Sequence, residues 1–138
     1  MKMLDELYEL AEKEDIEVIS CDLPKARCLA VMDGEGSCFI GMDPMYINSY
    51  GEEAELLAHE LGHCLTGSFY NISSPYDLRQ KHENRADFWM VSHLLPPDRL
   101  SRLLSEGIWE PWRIAEACGL SQELVEKALR IYQSKSML

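Results

Sequence analysis

No stretch of this chain approaches the roughly eighteen consecutive apolar residues that a membrane-crossing helix requires, so no membrane span is expected. Basic residues are scarce as well. Thirteen Lys and Arg stand against 24 Asp and Glu, a formal net charge of −11. A DNA-reading domain needs a basic face to displace counterions, so direct nucleic-acid binding is not expected, and the acid excess suits solubility or a partner with basic regions. The five cysteines are an odd number and form no C-x-x-C pair. That pattern argues against a disulfide framework and for reduced thiols in a cytoplasmic protein. The opening residues, Met1-Lys2-Met3-Leu4-Asp5-Glu6-Leu7, are too acidic and too interrupted for a secretion signal. Repeats and low-complexity tracts are missing too. At 138 residues the chain reads as a single domain, 1–138, with one core.

What is present is His59-Glu60-Leu61-Gly62-His63, an H-E-x-x-H. On a helix, residues four apart lie about 40° apart round the axis, so both imidazoles project from one face and can hold a single Zn²⁺. Glu60 lies about 100° round from His59, where a carboxylate can take a proton from a water polarised by the metal. Ala54, Leu57, Leu61, Cys64, Leu65 and Ser68 form the apolar stripe of this helix, with His59 and His63 nearly opposite. The histidines are therefore not expected to be packing residues.

A catalytic zinc site takes three protein ligands. The extended H-E-x-x-H-x-x-G-x-x-H pattern fails, because Thr66 and Phe69 occupy its last two positions. Downstream, Glu83-Asn84-Arg85-Ala86-Asp87 lies in a run from Arg79 to Leu95 that reads as a helix. Glu83, Ala86, Asp87, Met90 and Leu94 share one stripe of it, and two carboxylates on an inward-facing stripe are costly unless paired or metal-bound. Glu83 is the expected third ligand, and Asp87 is expected to accept a hydrogen bond from a ligand histidine. Asp77, His82, His93 and Cys64 are the other ligand types nearby. Oxyanion stabilisation needs a further donor, for which Tyr70, Tyr76 and His93 are candidates.

These residues carry a resemblance. From about Ala54 to Tyr132 the chain resembles the ImmA/IrrE metallo-endopeptidases, gluzincin-like zinc peptidases common in bacterial, phage and mobile-element genomes. The resemblance rests on Leu57-Ala58-His59-Glu60-Leu61-Gly62-His63, on Glu83-Asn84-Arg85-Ala86-Asp87 with Trp89, and on Leu94-Leu95-Pro96. Trp112-Arg113-Ile114-Ala115-Glu116 and Leu120-Ser121 extend it. It implies one Zn²⁺ per chain on His59, His63 and Glu83, Glu60 as general base, and a protein substrate such as a DNA-binding transcriptional repressor. Two positions depart from the family pattern: an arginine usual before the first ligand gives way to Glu55-Leu56, and Trp89-Met90 replaces Phe-Ala.

Two alternatives stand beside this reading. One is a non-catalytic regulatory module stabilised by the metal, although a structural site has no use for Glu60. The other is a peptide deformylase, which would need Gly-Cys-Leu upstream, whereas Cys38 follows Ser37.

The expected fold is α+β, with a small antiparallel sheet packed on the H-E-x-x-H helix and a mostly helical C-terminal half. Residues 1–47 should supply a helix, Leu4 to Glu14, and three strands, at Ile16 to Cys21, Arg27 to Met32 and Ser37 to Met42. Asp33-Gly34-Glu35-Gly36 is the hairpin turn between the last two. Residues 48–95 hold the metal-binding helices, the first capped by Asn48 or Ser49, with a loop from Tyr70 to Leu78 between them and Pro96-Pro97 at the end. Residues 96–138 are C-terminal helices. Ile114 to Leu129 has the cadence of a helix-turn-helix, but Glu123 and Glu126 sit where phosphates would lie, which favours packing or partner docking over DNA. The strand from Ser37 to Met42 is expected to offer a free edge for an extended substrate.

Overall fold

The computed structural model describes residues 2–69 and 74–138. These described residues form an α+β fold, a three-stranded sheet and six α-helices. Helix α1 (Lys2–Lys13) buries Leu4, Leu7 and Ala11. Strands β1 (Glu17–Ser20), β2 (Cys28–Met32) and β3 (Cys38–Met42) follow. Next come a short 3₁₀ turn, Pro44–Tyr46, and the helices α2 (Tyr50–Thr66) and α3 (Tyr76–Leu94). The last three are α4 (Pro97–Ser105), α5 (Pro111–Cys118) and α6 (Gln122–Ser134). The chain divides into two compact units, Met1–Met90 and Val91–Leu138, with the boundary inside α3.

The sheet is mixed, not antiparallel. Its order is β1-β3-β2; β1 runs parallel to β3 and β2 antiparallel to it. The expected hairpin forms, with the Asp33 carboxylate accepting from the Glu35 and Ser37 N–H groups and Gly36 at φ 86°. The connection from β1 to β2 skips one strand position, β3 then inserts there, and β1 lies on the far side of β3 from β2. The strand from Cys38 to Met42 is therefore the central one with both its edges paired, contrary to the free edge expected there, and among the described residues the open edges are those of β1 and β2. Every second β3 residue, Cys38, Ile40 and Met42, is buried on the face that meets α2.

Helix α2 is capped by Ser49, whose hydroxyl accepts from Glu52 N–H at 3.1 Å. It is buried on more than one side, because β2, β3 and α1 all pack on it. Ala58, Gly62 and His63 are buried along with Ala54, Leu57 and Leu61, whereas Cys64 and Leu65 are half-buried. The single stripe read from the sequence is thus too narrow, and His63 is a packed residue. Ser68 lies beyond the helix, after Gly67 closes it in the left-handed conformation at φ 65°.

One covalent tie contradicts the expectation of reduced thiols. Cys38 on β3 and Cys64 on α2 are joined by a disulfide, their Cα atoms 5.9 Å apart. Cys21, Cys28 and Cys118 are free. In the second unit, α5 and α6 pack through Ile114, Ala115, Leu124, Val125 and Ala128, and Tyr132 donates to the Leu95 carbonyl at 2.7 Å. Among the described residues no helix is long and apolar enough to cross a membrane.

Candidate metal centre

Gly62 decides how α2 and α3 meet. A Cβ there would lie 2.6 Å from the Ala86 carbonyl oxygen and 3.0 Å from its Cα. Only a hydrogen leaves room for this approach. Ala86 is fully buried in the contact and stands between Glu83 and Asp87 in sequence, so the close crossing carries both carboxylates to the histidine face of α2.

His59 Nε2 lies 2.9 Å from Glu83 Oε2, and His63 Nε2 lies 3.4 Å from the same oxygen. Three ligand atoms on one tetrahedral zinc, at bond lengths of about 2.0–2.1 Å, would be about 3.3 Å from one another. Donor types and spacings both fit that ion, and these three residues form the one such group found among the described residues.

The outer nitrogens are held as well. His59 Nδ1 donates to Asp87 Oδ1 at 2.9 Å, and His63 Nδ1 donates to the Ser68 carbonyl. Each bond places the proton on Nδ1 and leaves Nε2 as the metal-facing atom, the arrangement that orients imidazole ligands. The Ser68 contact went unread in the sequence. Its signal was Gly67, since a left-handed residue after a helix turns the next carbonyl back toward the last turn.

Glu60 sits beside the pair. Burial pushes its carboxyl above the usual carboxylate range, the Glu83 charge adds to this, and His59, His63 and the Ala30 N–H oppose it. The Ala30 bond comes from the free edge of β2. Hairpin bonds from Asp43 N–H to the Arg27 carbonyl and from Asp33 N–H to the Ser37 carbonyl set the alternation. Leu29 and Val31 thus turn their backbone groups to β3, and Cys28, Ala30 and Met32 turn theirs outward. Ala30 and Cys28 line a cavity of about 240 Å³ with His59, Glu60, His63 and Glu83. A half-buried thiol in its wall, Cys28, is pushed well above its ordinary pKa by desolvation and by the Glu60 charge.

His59, Glu60, His63, Glu83 and Asp87 are thus brought together. Tyr76 is 71% exposed and outside the cavity lining. His93 is exposed and belongs to the second unit. Tyr70 lies outside the described residues. Cys64, a sequence candidate for ligation, is committed to its disulfide. Compared with family models, with curated proteins and with solved structures, the chain matches none.

Proposed function

We propose that this chain is a zinc-dependent endopeptidase of the ImmA/IrrE kind that cuts a protein partner such as a DNA-binding repressor. One observation carries the reading: two imidazoles and a carboxylate converge through Nε2, Nε2 and Oε2, with a second carboxylate, Glu60, between them and an open strand edge. A zinc ion bound there would act as a Lewis acid toward water and a peptide carbonyl. His59, His63 and Glu83 would hold it, with Asp87 and the Ser68 carbonyl keeping the imidazoles in place. Glu60 takes the proton from the attacking water and passes it to the leaving amine.

The β2 edge supplies the substrate's seat. An extended peptide adds to it as a further strand, bonded to the outward backbone groups of Cys28 and to the Ala30 carbonyl, which gives affinity with little sequence demand. A repressor works beside DNA, so the proposal also sets the chain in the cytoplasm.

Metal analysis and variants test the reading. Purified protein should carry about one zinc per chain. His59→Ala, His63→Ala and Glu83→Ala should each remove it, while His82→Ala and His93→Ala should not. Glu60→Gln should keep metal and fold while cleavage falls roughly 10²–10⁴-fold. Protein that takes up no zinc at neutral pH defeats the metal centre. Protein that holds zinc but cuts neither a repressor nor unstructured peptides supports the regulatory module instead.

A further inference from the structure

Beyond Cys28 and Ala30, the free edge of β2 leads to a second cleft of about 430 Å³, lined by Leu23, Pro24, Lys25, Ala26, Arg27 and Tyr46. We propose that this cleft is a specificity subsite that takes an acidic side chain of the peptide substrate, about four residues from the bond that is cut. The inference rests on the peptidase reading above.

Position is the first argument. Cys28 and Ala30 are alternate residues of β2, and Ala26 lies just before that strand, across a bend at Arg27. Ala26 lines the second cleft, and Cys28 and Ala30 line the metal cavity. A single extended peptide on this edge reaches both. Four residues of extended chain span at most about 13 Å, so a substrate running on past the start of β2 needs about four residues to reach the second cleft.

Charge is the second. The chain carries a formal −11, yet this end of the track presents two cations, Lys25 and Arg27, both exposed. Among the described residues Lys25 makes no ion pair, and Arg27 Nη1 is steadied at 2.7 Å by Glu52 Oε1. A guanidinium keeps further N–H donors after one such bond, and a carboxylate is their natural acceptor. The exposed Tyr46 ring and the apolar side chains of Leu23 and Pro24 favour a stem of Glu length over a bare charge.

Rigidity is the third. The buried carboxylate of Asp43 accepts from Leu23 N–H at 2.8 Å and from Met45 N–H at 3.1 Å. One side chain thus fixes both walls of the cleft, the Leu23 segment and the 3₁₀ turn that presents Tyr46.

The test maps cuts in a library of random-sequence peptides by mass spectrometry, using zinc-loaded full-length protein. Wild type should favour Glu or Asp by about two- to fivefold in kcat/KM, the weight of a partly exposed ion pair, at a position three to five residues from the cut. A peptide antiparallel to β2 puts the preference on the carboxyl side of the cut, and a parallel one on the amino side. Lys25→Gln with Arg27→Gln should erase it, and Lys25→Glu with Arg27→Glu should turn it toward Lys and Arg. Melting curves matching wild type keep those comparisons valid. Zinc-dependent cutting with no acidic preference, or with one unmoved by the substitutions, overturns the subsite alone. A zinc-loaded chain that cuts no peptide defeats the peptidase reading, and the subsite falls with it.

Discussion

Gly62 is the residue on which the centre's geometry turns, although it offers no ligand. An added Cβ would meet backbone atoms of Ala86, not the yielding end of a side chain. Gly62→Ala should force α3 outward and carry Glu83 and Asp87 away from His59 and His63. We expect a loss of roughly 1–3 kcal/mol from overpacking, read in chemical denaturation, and at least a tenfold fall in zinc affinity. Unchanged affinity would show that the crossing does not set the ligands. Asp87→Asn, which keeps shape but removes the charge facing His59, should weaken zinc about 10–100-fold.

His59 also gives the centre a pH signature. Burial works to lower its pKa, but the hydrogen bonds to Asp87 and Glu83 outweigh this and hold it at about 10. That exceeds the ordinary value of about 6.5 for an exposed histidine. In chelator-treated protein this stabilisation is complete below the unfolded value and is lost as pH rises from there through 10. Zinc needs Nε2 unprotonated, so loading at pH 8 should expel about one proton or more per ion. Zinc titration calorimetry in two buffers of different ionisation enthalpy reads that number, and identical heats in both would contradict it.

At the scale of elements, the local parts were open to sequence reading and the non-local parts were not. The H-E-x-x-H face, the Ser49 cap, the Asp33 hairpin and the end of α3 before Pro96 each depend on residues a few positions apart. The β1–β3 pairing depends on a crossover, and nothing in alternation distinguishes an outer strand from an inner one. Alternation alone therefore puts the free edge at β3, whereas the outer strands are β1 and β2 and β2 is the one beside the cavity. Likewise, one stripe was read on α2 because periodicity assumes a single packed face, whereas this helix is covered by the sheet, α1 and α3. The edge yields its own prediction. Cys28→Pro removes an outward N–H and should leave folding and zinc intact while slowing peptide cleavage. Leu29→Pro removes a bond to Gly41 inside the sheet and should cost about 3 kcal/mol or more. Equal cleavage by Cys28→Pro and wild type would remove β2 from substrate binding.

For the whole molecule, the Cys38–Cys64 bond changes what the cysteine count implied. An odd total without C-x-x-C excludes neither a single bridge nor two cysteines that meet only through packing. Here the central strand and the metal helix bring them together across 26 residues of chain. The bond reaches α2 one residue after His63, so it braces the helix beside a proposed ligand. Closing a loop of that length should stabilise the fold by about 3 kcal/mol on the chain-entropy account. For a unit of this size that corresponds to a fall on the order of 15 °C in melting midpoint when the bond is opened. Reductant-treated wild type and Cys38→Ser with Cys64→Ser should therefore melt together, both well below the oxidised protein. Glutathione keeps cytosolic thiols reduced, so a cytoplasmic chain would meet this loss as its resting state unless packing resists exchange. Incubation in glutathione buffers of graded ratio, with alkylation of free thiols read by mass, separates the cases. A bond that survives a cytosolic ratio is structural. One that opens there, with zinc retained and melting lowered, leaves the proposed ligands placed by packing, with the Gly62–Ala86 crossing between α2 and α3. Identical melting of oxidised and reduced protein would show that the bond adds nothing to the fold.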